Sequence, residues 1–318
     1  MTKRNQAFLA IILCVFFWGF SFVSIKVAVQ VFPPMTLGAA RFLLAVLFLF
    51  FVKRISVPDE KPEKRDFPYL IGAGLVGVTL YFFFENNGVA LVTASEASII
   101  VAAIPVLTMA AEWLWSRIRT RRAKRLGTEL KDGSGGPLRI TGRRWAGAAV
   151  SVIGVWLVVG VSLSVSGNIK GYLYMFGAAA SWVAYCFLTR PLFSRRSRVC
   201  IVFWQSVFGF LGFLPFAAAE VPRWGRPDAA VLLHVLFLGI CCSALGYWLY
   251  AHALEVLGVS AATIFVNLVP VITVIAGFIL LGDRLSPLQW AGAVLVVGGV
   301  YLAMLEGRPR EPFPTSQG

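Results

Sequence analysis

Four ionisable side chains stand where such groups are costly: Lys26, Arg41, Glu85 and Glu96 all fall within or at the edges of long apolar stretches. A charge at the centre of a bilayer costs roughly 2.5–3.5 kcal/mol on insertion scales, so charges kept there are paired or handle a solute or an ion. If the chain starts on the inner side, a rise of about 1.5 Å per residue puts Arg41 roughly 10 Å below the outer surface. Glu85 then lies in the outer third, and Lys26 and Glu96 lie at outer helix ends. Arg41 and Glu85 are therefore expected to form an outer gate or coupling pair. The plainer readings are a snorkelling Lys26, structural pairing at Arg41 and Glu85, and a Glu96 close to water. Glu112, towards the inner end of its stretch, reads as interfacial.

Two more groups could line a binding cavity. Ser95, Ser98, Ala102 and Pro105 follow i, i+3, i+7 and i+10, which is one helical face. Ser260, Thr263, Asn267 and Pro270 repeat that pattern later in the chain. Small residues also serve close helix packing, but Asn267 favours a cavity in the second stripe, because a buried amide needs partners. Trp18 and Trp182 sit near mid-helix rather than in the interfacial belt, with Ser21 and Tyr185 about one turn on. Tyr247 and Tyr250 are one turn apart on a later segment. These residues suit an amphipathic pocket with few polar groups; core packing is the alternative. Lone histidines such as His234 and His252 are more often structural. The five cysteines have no metal-site or disulfide spacing and read as small buried hydrophobes. No phosphate-binding Gly-x-x-x-x-Gly-Lys loop, His-Glu-x-x-His motif or Gly-x-Ser-x-Gly elbow occurs. No cofactor, metal or catalytic residue is expected.

The elements that must position these residues are long apolar blocks. Of the 318 residues, 58% are hydrophobic and 14% charged, against about a quarter charged in soluble domains. A hydrocarbon layer about 30 Å thick needs roughly 20 apolar residues as a helix. Ten blocks qualify: 7–29, 36–52, 67–86, 95–116, 145–163, 171–189, 199–219, 229–250, 260–281 and 288–305. The shortest, 36–52 and 288–305, leave a count of nine open. Barrel strands alternate apolar and polar residues, and stretches such as 7–17 or 294–300 do not. The first block outlasts a signal-peptide core and reads as a retained helix. The net charge of +14 is distributed by side. With the N-terminus inside, cytoplasmic segments hold 23 Lys and Arg and outer loops hold four. That bias sets both termini in the cytoplasm and favours an even count. It also turns the basic 117–144 segment towards anionic lipid rather than nucleic acid. A bacterial plasma membrane is the expected location.

The chain repeats itself. Trp145-Ala146-Gly147 recurs as Trp290-Ala291-Gly292, and Gly154-Val155 as Gly299-Val300. Ser95, Ile99, Val101, Pro105, Val106, Thr108 and Ala111 recur 165 positions later. Trp18 and Lys26 align with Trp182 and Arg190 at an offset of 164. The expected fold is an all-α integral membrane protein of ten transmembrane helices, arranged as two inverted five-helix repeats. The first spans 1–168 with a basic cytoplasmic loop at 117–144, the second spans 169–306, and a cytoplasmic tail covers 307–318. An odd number of helices per half inverts the second half, the symmetry of many secondary transporters. The second-half counterparts of Lys26, Arg41, Glu85 and Glu96 are Arg190, Gln205, Tyr250 and Ala261. A charged outer constriction and a mostly neutral inner one are therefore expected.

The chain resembles the drug/metabolite transporter superfamily in its EamA-type branch. Matching features are Trp18-Gly19 with Lys26, Ala40-Arg41-Phe42-Leu43-Leu44-Ala45, Glu85-Asn86-Asn87-Gly88-Val89-Ala90-Leu91, the Ser95 to Pro105 stretch, and the Gly282-Asp283-Arg284 turn. The acidic-Arg pair usual at the end of helix four is Arg117-Ile118-Arg119 here. The resemblance implies ten helices with both termini inside, and export of small metabolites such as amino acids. The expected function is a secondary transporter, not an enzyme, working by alternating access on a small-molecule substrate in a lipid bilayer, with proton coupling through Glu85 left open. Small sister proteins of the superfamily work as dimers, so a homodimer stays open although a fused chain can function alone. The rival readings are a membrane-embedded enzyme for lipid-linked substrates, which would need catalytic residues beyond Arg41, Glu85 and Glu96, and a partner-binding membrane subunit.

Overall fold

The computed structural model describes residues 2–126, 141–166, 168–257, 265 and 268–304. Its described residues form ten helical segments. These are α1 (Lys3–Ala28), α2 (Pro34–Ser56), α3 (Phe67–Leu91), α4 (94–126), α5 (Gly142–Ser166), α6 (Ile169–Thr189), α7 (Arg198–Glu220), α8 (229–257), α9 (Val269–Leu281) and α10 (Pro287–Met304). Eight are long and apolar enough to cross a membrane; α9 and α10 are shorter but apolar. Large apolar side chains such as Leu47, Phe51, Phe278, Ile279 and Val294 stand exposed on the outside of the bundle. Such a surface suits lipid and not water.

Local chemistry fixes the ends. Thr2 accepts from the Asn5 amide, Ser197 from Cys200 and Asp228 from Val231, each starting a helix with an oxygen cap. Thr93 and Glu96 form a capping box at the start of α4. Gly282, at φ 71°, ends α9 in the left-handed conformation that glycine takes without steric penalty. The helix of α4 runs on to Leu126. The segment expected as a loop from 117 is thus helical over its first ten residues, because Arg, Lys and Leu are good helix formers and no glycine intervenes before Gly127. The rest of that loop, 127–140, lies outside the described residues.

Irregularities fall at matching places. α3 widens to π-type turns over Leu75–Leu80, and α8 does so over Phe237–Leu245. α4 breaks at Ala102-Ala103 and resumes at Ile104, just before Pro105, while α9 starts at Val269, just before Pro270. A proline within the first helical turn gives up no bond that the helix needs. Helix contacts match too: α5 packs along α10 and α2 along α7, α3 meets α6 as α1 meets α8, and α1 meets α9 as α6 meets α4. The α5–α10 crossing is close, backbone to backbone. A Cβ on Gly299 would lie 2.6 Å from the Gly147 carbonyl oxygen, and one on Gly154 would lie 2.6 Å from that of Gly292.

Where the connections are described, they are short and reverse the helices, so the bundle has two distinct ends. At the end bearing the N-terminus, Arg196 Nε donates to the buried Asp66 carboxylate at 2.6 Å, with Arg195 at 3.7 Å. Burial alone would raise the Asp66 carboxyl, but these arginines and the Glu63 amide, which donates to it at 3.0 Å, hold it below its ordinary value. At the opposite end, hydrogen bonds join the first five helices to the last five. The Ser95 amide and hydroxyl donate to Asp283 at 3.2 and 2.9 Å. Gln289 donates to Glu96 at 2.9 Å, and the Thr36 amide and hydroxyl donate to Glu220 at 2.7 and 2.9 Å. The Gly225 amide donates to the Val31 carbonyl at 2.9 Å.

Candidate functional site

A cavity of about 400 Å³ opens between α1, α2, α3, α4, α6 and α8. Its floor is an aromatic cluster on the line where the two sets of five helices meet. Trp18 and Trp182 face each other edge to face at 6.3 Å, and Tyr247 lies 5.7 Å from the first and 6.1 Å from the second. Tyr250 packs 5.2 Å from Trp18, and Tyr81 packs 5.2 Å from Trp182. The Trp18 indole donates to the Cys242 carbonyl at 3.1 Å. That carbonyl lies in the widened stretch of α8, where the regular ladder is interrupted and an outside donor is needed. The approach depends on Gly246, where a Cβ would come within 2.7 Å of the indole nitrogen.

Two charges sit on the cavity wall towards the closed end. Arg41 is 2% exposed; its Nε donates to Ser243 Oγ at 2.9 Å, and its guanidinium lies over the Phe82 ring at 4.1 Å. The α2–α8 contact that brings Ser243 within reach is close, since a Cβ on Gly239 would lie 3.0 Å from the Arg41 carbonyl. Among the described residues Nη1 of Arg41 has no hydrogen-bond partner. Glu85 is 4% exposed and accepts the Tyr81 hydroxyl at 2.7 Å. The expected direct pairing of Arg41 with Glu85 is not formed: among the described residues no ion pair joins them. Each is instead held by a neutral hydroxyl, and they act on each other only through space. At its other end the cavity reaches Thr108, Met109, Glu112, Arg144 and Ala303. These belong to the parts of α4 and α10 and the start of α5 that lie towards the end carrying the N-terminus. Glu112 is half-exposed and 3.7 Å from Arg190.

The structure brings eight of the thirteen residues singled out in the sequence into this cavity: Trp18, Ser21, Arg41, Glu85, Ser98, Trp182, Tyr247 and Tyr250. Four others do not line it, because helix-to-helix hydrogen bonds use them. Ser95 is bound to Asp283. Asn86 donates to the Pro34 carbonyl at 2.9 Å, tying α3 to α2. Tyr185 donates to Gln205 at 3.1 Å, joining α6 to α7. Asn267 lies outside the described residues, as do Ser260 and Thr263. Lys26 is hydrogen-bonded to a helix end. It donates to the carbonyls of Val89, Ala90 and Val92 at 2.9, 3.2 and 2.7 Å, where a cation meets the negative end of α3. Glu96, expected near water, is buried because its capping role and Gln289 hold it at the α4 start. His234 pairs with Ser24 at 3.0 Å and does not line the cavity. Sequence reasoning missed Tyr81 and Ser243, the hydroxyls that hold the two charges. Tyr81 stands one helical turn before Glu85, a spacing that could have been noticed; Ser243 comes from a distant helix and had no such signal.

Comparison with known proteins gives one picture. The model of the EamA-like transporter family matches residues 5–130 and 169–305. An uncharacterized transporter of Archaeoglobus fulgidus is 25% identical over 94% of this chain and 99% of its own length. A protein of Salmonella typhimurium named "probable amino-acid metabolite efflux pump" is 27% identical, with 97% of each chain covered. A "probable terminal-alkyne amino-acid exporter" of Streptantibioticus cattleyicolor is 25% identical, also over 97% of each. One solved crystal structure superposes with a TM-score of 0.62 at 20% identity, over 96% of this chain and 99% of that one, a likeness of fold.

Proposed function

The chain belongs to the EamA-like transporter family, and from that premise we propose that it exports amino acids or similar small amphipathic metabolites across a bacterial plasma membrane by alternating access. As a member it is a multi-pass membrane transporter of a small molecule and not an enzyme. The observation that carries the finer reading is the cavity itself: an aromatic floor with one buried cation and one buried carboxylate on its wall. Such a mixture suits a solute with an apolar body and both charges. Two relatives carry names of amino-acid exporters or efflux pumps, which points the same way.

Ten spans in two inverted halves, both termini cytoplasmic, complete the proposal. Its support is the matching of irregular turns, helix breaks and glycine contacts between the halves, together with the 23-to-4 distribution of basic residues. With that orientation the cavity opens to the cytoplasm, and the hydrogen bonds of Asp283, Gln289 and Glu220 close the outer end. Transport would break that outer set and close the inner mouth around Glu112 and Arg144. The site comprises the eight cavity-lining residues, with Tyr81 and Ser243 as their supports. Glu85 is the group to exchange a proton if transport is proton-coupled.

Counterflow in proteoliposomes with a pooled panel of amino acids, read by mass spectrometry with and without a pH gradient, tests this. Selective exchange of one or a few amino acids is expected. Glu85→Gln should abolish any effect of the gradient while leaving the folded fraction unchanged. Folded, inserted protein that exchanges none of the panel would refute the substrate class.

A further inference from the structure

The Arg41 side chain is a buried cation with no counter-ion in contact among the described residues. Removing a guanidinium from water is costly unless a charge or a full set of acceptors replaces the water. Among the described residues the replacements are one serine hydroxyl on Nε and the face of Phe82, and Nη1 has no acceptor. Glu85, the nearest carboxylate on the cavity wall, is turned to Tyr81. Lys26 satisfies itself on three carbonyls, and Arg144, the other cation lining the cavity, lies at its inner mouth.

We propose that Arg41 is the carboxylate-recognising residue of the transport site, binding the substrate carboxylate end-on through its two Nη nitrogens. This rests on the amino-acid reading above and deepens it. The geometry follows from the fork of donors on a guanidinium. With Nε held by Ser243, the edge left for a planar anion is the one formed by the two terminal nitrogens, which matches a carboxylate in a bidentate pair. Ser243 is then a positioning residue that fixes the plane of the fork. Phe82 packs on one face of that plane and keeps it from swinging. The aromatic cluster of Trp18, Trp182, Tyr247 and Tyr250 lies along the same cavity to receive the apolar body. A substrate without a carboxylate would leave the buried cation unsatisfied, so the site selects for the acid and not merely for size and apolarity.

The test uses the wild-type protein first. In the counterflow assay, L-leucine and L-phenylalanine compete for exchange against L-leucinamide and L-phenylalaninamide, which keep the ammonium group and the side chain but lack the carboxylate. The acids are expected to compete about tenfold or more better than the amides. Arg41→Gln should bring that ratio close to one, and Ser243→Ala, which keeps the charge, should raise KM for the acids with little change in kcat. Arg41→Gln is scored only if it retains the cooperative thermal unfolding of the wild type, and the wild-type ratio decides the matter if it does not. Amides that compete as well as the acids, in a protein that does exchange amino acids, overturn the role of Arg41 and leave the transporter reading standing. A folded wild type that exchanges no amino acid overturns both.

Discussion

Alanine at Gly299 should loosen the α5–α10 crossing, and the structure supplies the size of the effect. The added Cβ would lie 2.5 Å from the Ser151 amide nitrogen, 2.6 Å from the Gly147 carbonyl oxygen and 2.9 Å from the Ser151 Cα. All three are backbone atoms, so no rotamer change relieves the clash. Reaching 3.4 Å, where ordinary van der Waals contact begins, needs the two helices to part by about 0.9 Å at this point. In a membrane, close packing of small residues is a main source of helix association. Overpacking of a fitted interface costs about 1–3 kcal/mol, and that is the destabilisation expected of Gly299→Ala. Gly154→Ala, which meets the Gly292 carbonyl at 2.6 Å and the Val296 amide at 2.7 Å, should cost about as much. The control is adjacent: Gly298 has nothing within 4 Å of its would-be Cβ, so Gly298→Ala should stay within about 0.5 kcal/mol of wild type. Reversible unfolding by SDS titration in mixed micelles measures all three. Adding Gly147→Ala to Gly299→Ala should cost less than the sum, because one separation of the helices accommodates both methyls. If Gly299→Ala and Gly298→Ala unfold at the same detergent fraction, the crossing is not tight and the reasoning fails.

Other perturbations have equally definite outcomes. Trp18→Phe removes the donor to the Cys242 carbonyl and should lower stability by about 0.6–2 kcal/mol, as judged by the same titration, with no change in Trp18→Phe marking that bond as idle. Arg196→Ala leaves the buried Asp66 carboxylate with the Glu63 amide and the more distant Arg195 and should cost about 1–3 kcal/mol. Because the Asp66 carboxyl is held below its ordinary value in the fold, its contribution is complete above that ordinary value and is lost as pH falls through the lowered one; Asp66→Asn should flatten the acid limb of the stability profile, and an unaltered limb would count against the assignment. Asp283→Ala takes away the acceptor shared by the Ser95 amide and hydroxyl. A cysteine placed at Ser98 in a background without the native thiols should then react faster with an impermeant maleimide added outside, whereas unchanged labelling would mean that this contact does not hold the outer end shut.

The membrane class, the apolar blocks and most of the cavity were legible in the sequence because they follow from local patterns. Helix length against bilayer thickness needs no tertiary information; Trp18 and Trp182 were visible as aromatics at depths where the interfacial belt would not put them, and Tyr247 and Tyr250 as a pair one turn apart. What stayed hidden was pairing between distant segments. Ser95 and Ser98 share one face, yet Ser98 reaches the cavity and Ser95 is taken by Asp283 from a turn 188 residues away. Arg41 and Glu85 were expected to meet because their depths agreed, but depth does not reveal azimuth, and each found a hydroxyl on its own side. Lys26 was read from its closeness to the surface, whereas the end of α3 supplies it with three carbonyl oxygens. The helical start of the basic segment was missed because charge was taken to mean loop, although those residues favour helix once water is at hand.

On the proposed division into two halves, the two helices that cross at the glycines are the last of each, and this bears on how the polypeptide can be divided. Gly147 and Gly154 on α5 have the same spacing as Gly292 and Gly299 on α10, and each contact is made backbone to backbone. If the halves recognise each other partly through the shape of these helices, the covalent link at 167–168 is dispensable. Two fragments severed there and co-expressed should find each other and restore exchange. The first fragment expressed alone carries a crossing that fits a second copy of itself, so it should self-associate until the true second fragment displaces it.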